Sequence, residues 1–349
     1  MFDQMDNEKL FAIKLADNEK TIRDKSISQL RNYIRSRCIT EKSPFSEEDL
    51  IKLWKGLHYC MWMCDKPLVQ EELNDKICNL MDCFNNNNKQ VILFVKVYFM
   101  TIIREWIGID KWRMDKFMML VRSIIRKIFG YLNSKKWDKV LIKKFNKMML
   151  ELPLNINDDR IPDGITYHIT DLYIEELAKF GDNIKPVRAV KMLLPFFKLM
   201  AISKKPQFVM HLKKRLFEQI IECSDVGIEP EVEEEMAEIK AFGLQLCEEE
   251  DTSEYNIKFN YKLIADKLFK VGNSQECLQR NKKLIFDLVK KFRALMKGVY
   301  PIDDFNLPNL DKDDERTKPN LALLKKKADR IDLKNLNKKN KKNKAKKNK

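Results

Sequence analysis

Residues 45–73, FSEEDLIKLWKGLHYCMWMCDKPLVQEEL, and residues 94–126, FVKVYFMTIIREWIGIDKWRMDKFMMLVRSIIR, decide the fold. The stretch they bound reads as four consecutive helices and holds four of the five tryptophans: Trp54, Trp62, Trp106 and Trp112. Ser46 followed by Asp49 is a capping-box start, and the acidic run Glu47-Glu48-Asp49 complements the helix N-terminus. Pro67 suits a first helical position, with Asp65 the expected cap. Gly108 breaks the third helix and Asp110 caps the fourth. Apolar residues recur at helical spacing, as in Leu50, Leu53, Trp54, Leu57, Met61 and again Met114, Phe117, Val121, Ile124, Ile128. No useful alternation of period two occurs, so helix packs on helix.

Outward from this stretch the same pattern continues. A short lead-in helix ends near Leu15, and Asn18 is the expected cap of a helix carrying Ile22, Ile27, Leu30 and Ile34 inward. The run Asn85–Asn88 reads as a solvated loop. A helix is expected from about Lys135 to Leu152, then an irregular loop, LPLNINDDRIPDGIT. Further helices follow near Thr170–Phe180, Pro186–Ala201 (kinked at Pro195) and Gln207–Cys223, with Gly181 as a helix C-cap. Helix pairs beginning near Asn18, Pro67 and Asp110 lie 49 and 43 residues apart, close to a HEAT-type period. The expected fold is therefore all-α, a HEAT-like solenoid of antiparallel helix pairs.

Four regions are expected: a helical-repeat domain over 1–225, an acidic linker or insertion over 226–254, a helix pair over 255–300 packing on the solenoid, and an extended lysine-rich tail over 301–349 that is largely disordered apart from a short helix near Leu321–Ile331. The acidic region contains EPEVEEEMAEIK and CEEEDTSEY; a solvated acidic face and a shield over phosphate contacts both fit it. Nine glycines and eleven prolines are too few for an all-β protein. The longest apolar runs are interrupted by Lys96 and Arg104, well short of the roughly 20 residues that span a bilayer. The start, MFDQMDNEKL, lacks the basic opening and apolar core of a signal peptide. A soluble, intracellular protein is the expectation, with its eight cysteines reduced.

The net charge is +15, from 67 basic and 52 acidic residues. Removing the last twelve residues and their eight lysines leaves the remainder still basic, so the expected partner is a polyanion, nucleic acid above all. Lys139, Lys143 and Lys147 stack at four-residue spacing, with Lys136 and Lys144 nearby; an RNA-binding face and a merely solvated basic face are the two alternatives. Arg122, Arg126, Lys213, Lys214 and Arg215 extend the candidate phosphate contacts. Arg104, Trp106, Asp110, Arg113 and Lys116 form a candidate partner surface, with an inter-helix salt-bridge network as the alternative. Lys338, Lys339, Lys341, Lys342, Lys344, Lys346, Lys347 and Lys349 read as a nuclear or nucleolar address and an RNA arm, or as unconstrained drift.

Catalytic chemistry finds no motif. The nearest two glycines, Gly227 and Gly243, are sixteen positions apart, which excludes phosphate-cradling loops. His58, His168 and His211 sit in separate helices, with no HExxH and no G-x-S-x-G elbow. His58, Cys60, Cys64, Cys78 and Cys83 lie close in sequence but match no common zinc spacing, and buried cysteine is the simpler account. No metal or cofactor is expected.

Several of these segments resemble the ribosomal RNA-processing protein 1 family of eukaryotic nucleolar proteins. They are FAIKLADNEKTIRDKSISQLRNYI, WKGLHYCMWMCDKPLVQEEL, IIREWIGIDKWRMDKFMMLVR, DLYIEELAKFG, LLPFFKLMAISKK, FNYKLIADKLF and RNKKLIFDLVKKF, spread from Phe11 to Phe292. The resemblance implies a non-enzymatic assembly factor of the large (60S) ribosomal subunit. Its implied partners are large-subunit pre-rRNA, other pre-60S assembly factors and ribosomal proteins, with one copy per precursor particle and no membrane or small-molecule substrate. The implied location is the nucleolus. A C-terminal extension shorter than in larger family members leaves functions carried there in doubt. The competing class is a protein-only helical-repeat adaptor, such as a nuclear transport or chromatin scaffold.

Overall fold

The computed structural model describes residues 6–41, 44–224 and 257–301; every regular element among them is helical. The acidic region, the residues beyond Pro301 with the expected helix near Leu321, and the tail lysines lie outside the described residues. The helices are α1 (Asn7–Leu15), α2 (Lys20–Thr40), α3 (Glu47–Trp62), α4 (Pro67–Cys78), α5 (Asn88–Glu105), α6 (Lys111–Ser134) and α7 (Lys139–Glu151). Next come α8 (Asp163–Ala178), α9 (Pro186–Met192), α10 (Leu194–Ile202), α11 (Pro206–Leu212), α12 (Gln219–Glu222), α13 (Tyr261–Gly272) and α14 (Gln279–Met296). Short 3₁₀ turns at Asn79–Phe84 and Trp106–Gly108 follow α4 and α5, and a π-turn at Lys213–Glu218 joins α11 to α12.

From α1 to α9, most helices pack against the one two places along. One row runs α1, α3, α5, α7 and then α9 with α10; the other runs α4, α6, α8 and the π-turn, with α2 against the 3₁₀ turn after α4. The pair α13–α14 packs on α10 and closes the row. This is a solenoid-like stack of helix pairs, as the pattern of apolar positions predicts.

A continuous hydrophobic core runs through both rows and contains several aromatic clusters. Trp54 lies 4.6 Å from Phe94 and 4.9 Å from Tyr98 between ring centres, joining α3 to α5. Phe129, Tyr173 and Phe196 meet edge to face in turn, with ring centres 5.1 and 4.6 Å apart, joining α6, α8 and α10. Each fully buried large side chain of this kind stabilises by about 1.5–3 kcal/mol. Polar ties fix the layers in register. Asn281 Nδ2 donates to the carbonyls of Ala201 and Ser203 at 3.1 and 3.0 Å, which docks α14 on the end of α10.

The capping box at Ser46 and Asp49 forms, Asp110 caps α6, and the chain breaks at Leu193 before Pro195. Other local expectations are corrected. Asn18 does not cap α2; Glu19 stands at the N-cap without a side-chain bond, Asp17 Oδ1 accepts from the Glu19 amide at 2.8 Å, and Arg23 donates to the carbonyls of Asp17 and Asn18. Asp65 does not cap α4; Lys66 stands there without a side-chain bond. Ile22 is 39% exposed instead of inward. Helix α8 begins at Asp163, inside the segment expected to be loop. Gly181 opens a 3₁₀ turn and is not among the left-handed residues.

Two turns with left-handed residues depart furthest from the expected pattern. The asparagine run is no inert loop. Asn85 and Asn86 take φ of 47° and 61°, a left-handed geometry asparagine tolerates well. Asn87 caps α5, Asn86 Oδ1 accepts from Lys135 Nζ at 2.8 Å, and Asn88 Oδ1 accepts from Tyr131 OH at 2.6 Å. Between α6 and α7, Lys136 and Trp137 take φ of 51° and 55°, so the helix expected from Lys135 starts only at Lys139. The buried Trp137 indole anchors that turn, its amide donates to Leu132 O at 2.8 Å, and Arg188 donates to its carbonyl.

Candidate nucleic-acid interface

Helix α7 follows from its sequence. Asp138 Oδ1 accepts from the amides of Val140 and Leu141 at 3.0 and 2.9 Å, which sets the first turn. Leu141, Ile142, Phe145, Met148 and Met149 are buried against α5, α9 and α10. At 3.6 residues per turn, Lys139, Lys143, Lys147 and Lys144 then fall within an arc of about 140° on the other side. All four are exposed, as is Lys136 in the preceding turn. Among the described residues no carboxylate comes within ion-pair reach of Lys136, Lys139, Lys143 or Lys144; Lys147 Nζ meets Glu151 at 3.5 Å.

The other row treats its charges differently. Glu176 has no exposure, and its carboxylate accepts from Arg126 Nε at 2.6 Å and Arg122 Nη1 at 3.1 Å; Arg122 Nη2 also reaches Glu175 at 3.0 Å. Burial alone would raise the Glu176 carboxyl, but hydrogen bonds and charge from Arg126, with Lys179 and Arg122, hold it below the ordinary value. Lys213 Nζ lies 2.5 Å from Asp287 and 3.5 Å from Glu218, tying the π-turn to α14. Arg215 Nε is 3.6 Å from Asp171, and Asp171 is 2.8 Å from His211 Nε2. Lys214 is exposed. Arg122, Arg126 and Lys213 are therefore committed to acidic partners of their own fold, and they are not gathered with the α7 lysines.

The candidate partner cluster is also largely consumed internally. Lys116 is 4% exposed and donates to the carbonyls of Trp62 and Cys64, each at 2.7 Å, at the C-terminal end of α3. Asp110 pairs with Arg113, whose guanidinium lies 4.8 Å from the Trp62 ring. Arg104 Nε meets Glu105 at 2.9 Å, and Trp106 is half-buried against Gly164. Two neighbours instead project outward: Ile107 is 94% exposed and Trp112 is 90% exposed. The sequence reading gave neither Ile107 nor Trp112 a role at the surface. The signals were the break at Gly108, which leaves Ile107 in a short turn, and the spacing of α6, which sets Trp112 on the side away from Phe117 and Val121.

The ring of His58 stacks on Phe117 at 4.6 Å, and burial lowers its basicity to a pKa of about 4. Burial likewise pushes the Cys60 and Cys78 thiols up to about 12. Among the described residues, the grouping with metal-ligand geometry is Asp6, Glu8 and Asp49. Lys52, Arg37 and the α3 capping box already engage those carboxylates. No described helix is long and apolar enough to cross a membrane.

The stack of helix pairs defines an all-α, solenoid-like helical protein. Residues 6–348 match the family described as "Nucleolar protein, Nop52". The chain belongs to that family and is a nucleolar protein. It is 31% identical over 328 residues to human "Ribosomal RNA processing protein 1 homolog B", covering 82% of this chain and 43% of the relative. It is 28% identical over 340 residues to the human homolog A, covering 86% and 73%. The Caenorhabditis elegans "Ribosomal RNA processing protein 1 homolog" is 32% identical over 297 residues, covering 84% and 70%. The chain thus spans less than half the length of the human homolog B.

Proposed function

We propose that this protein is a non-enzymatic scaffold in assembly of the large (60S) ribosomal subunit. In this reading it holds pre-rRNA and companion assembly factors in early nucleolar precursors, and pre-rRNA processing depends on it. The observation that carries the RNA contact is the exposed lysine face of α7, because counterion release from phosphates rewards cations not already paired within the fold. The names of the relatives support the processing role. Arg122, Arg126 and Lys213 contribute to the frame, and Lys214 and Arg215 add a smaller basic patch on the π-turn. The partner surface is assigned to Ile107 and Trp112 at the α5–α6 corner, with Arg104 on its rim. The tail lysines from Lys338 to Lys349 supply a nucleolar address and a second electrostatic arm.

The test is sedimentation of tagged protein from cell extract, with RNA and protein identified in each fraction. Co-migration with large-subunit precursors is expected, and its loss in Lys139→Glu/Lys143→Glu/Lys147→Glu assigns the contact to α7. Migration in complexes that contain no ribosomal precursor and resist ribonuclease would overturn the proposal.

A further inference from the structure

The α7 face differs from surfaces that grip single strands. Such surfaces combine a basic groove with exposed aromatic rings on which successive bases stack, each stack worth about 1–3 kcal/mol. The aromatics of this segment, Trp137 and Phe145, are 1% and 0% exposed and belong to the core. Asn146, an amide that could read a base edge, is 6% exposed and donates to Lys191 O at 2.7 Å. What remains on the outward arc is Lys139, Val140, Lys143, Lys144 and Lys147, with Lys136 just before it and, at the far end, the half-buried Leu150 and the exposed Glu151 that pairs with Lys147. Nothing here reads or stacks a base.

The lysines are also fixed in relative position. The run from Lys139 to Lys147 is a rod of about 12 Å at 1.5 Å per residue. Its apolar side is locked into α5, α9 and α10, and its start is held by the Asp138 cap and the Trp137 anchor. A rigid row of positive charge gains most from phosphates that are themselves rigid. A single strand would have to be ordered along the row at a cost in conformational entropy, with no stacking to offset it. An A-form duplex holds its phosphates in place, and its deep, narrow major groove brings two phosphate strands close together.

We propose that the α7 face takes the sugar–phosphate backbone of double-helical RNA, recognised by shape and without base sequence, in preference to single-stranded RNA. This deepens the RNA-scaffold reading and rests on it.

The test uses the full chain with two fluorescent probes, a short blunt-ended RNA duplex and one of its strands alone, titrated over a range of salt concentrations. The duplex is expected to bind about tenfold more tightly, and changing its sequence should leave the affinity unaltered. Lys139→Glu/Lys143→Glu/Lys147→Glu should remove that preference and lower the salt slope by roughly 3, near one per lost phosphate contact. The Gln triple variant should do the same more mildly and serves if the Glu variant fails to fold. A single strand bound as tightly as the duplex would overturn the inference while leaving the RNA-scaffold reading intact. Preference for the duplex surviving in a folded triple variant would overturn the assignment to α7. Binding of neither probe would overturn both readings.

Discussion

Arg126 donates two hydrogen bonds to the fully buried carboxylate of Glu176, from Nε at 2.6 Å and from Nη2 at 3.0 Å. Arg122 and Lys179 approach the same group, so α6 and α8 are joined through one buried charge with three cationic partners. The folded protein holds this carboxyl below its ordinary value of 4.5, so the unfolded chain takes up the proton first as pH falls. Its contribution is present above pH 4.5 and is lost as pH drops through the folded value.

Chemical denaturation of Glu176→Gln should show a loss of about 1–3 kcal/mol at neutral pH, modest because the arginines left behind are partly solvated. Its stability should also change less with pH below 4.5. In Arg122→Ala/Arg126→Ala the sign should invert. Burial then dominates, the native state binds the proton first, and mild acid stabilises that variant. Parallel acid profiles for wild type and the double variant would refute the arrangement.

His58 acts in a different window. Burial keeps the folded imidazole neutral down to about pH 4, while the unfolded chain protonates near 6.5. Stability should therefore fall by on the order of 2–3 kcal/mol as pH drops from 6.5 to 4. His58→Phe keeps a ring on Phe117 and should flatten that part of the profile, leaving the Glu176 region below it unchanged. An unaltered slope between pH 6.5 and 4 would show that another group titrates there.

Much of this architecture was legible in the chain because helices report themselves through spacing and caps. Leu50, Leu53, Trp54 and Leu57 repeat at helical intervals and are all buried, and Ser46 with Asp49 caps as expected. The lysine face of α7 was legible for the same reason, since periodicity that places Leu141 and Phe145 inward places Lys139 and Lys143 outward. Pairing across helices was not. Arg122 and Arg126 read as free cations because Glu175 and Glu176 lie some fifty positions away, and only the stack brings them together. The left-handed turn at Lys136–Trp137 was hidden too, because tryptophan carries no local preference for that backbone. Lys116 looked like surface and is a buried cap, which no spacing rule distinguishes.

Trp54 and Trp137 are both fully buried, yet their indole nitrogens differ. Trp54 Nε1 donates to Phe94 O at 2.9 Å, whereas Trp137 Nε1 has no partner among the described residues. Replacement by alanine should cost about 3–5 kcal/mol at either site. Replacement by phenylalanine separates them. Trp54→Phe forfeits a buried hydrogen bond, while Trp137→Phe removes an unsatisfied donor, so the first should cost about 1–3 kcal/mol more. Equal shifts in denaturation midpoint would mean that Trp137 has a partner after all.

Gly56 lets α3 approach α1 closely. A Cβ at this position would stand 2.7 Å from Ala12 Cα and 3.0 Å from Ala12 O, both backbone atoms that cannot swing aside. Gly56→Ala improves intrinsic helix propensity in α3, yet it should destabilise by about 1–3 kcal/mol through overpacking. Hydrogen exchange should locate the damage, with amides of α1 losing protection before those of α5. A stabilised Gly56→Ala protein would show that α1 can move away at no cost.

Ile107 and Trp112 stand 94% and 90% exposed beside a corner whose other members are committed to internal contacts. Two large apolar side chains that bury almost nothing contribute little to folding, so Ile107→Ser/Trp112→Ser should unfold within about 0.5 kcal/mol of wild type. Tryptophan is among the residues that most often dominate protein interfaces, where truncation costs about 2 kcal/mol or more of binding, roughly thirtyfold in affinity. The variant should therefore stay folded and keep duplex RNA binding through α7, yet shed protein partners from precursor particles in a quantitative comparison of purified complexes. A variant that retains every partner would place the protein-binding surface elsewhere. One that loses several kcal/mol of stability would return these residues to the fold.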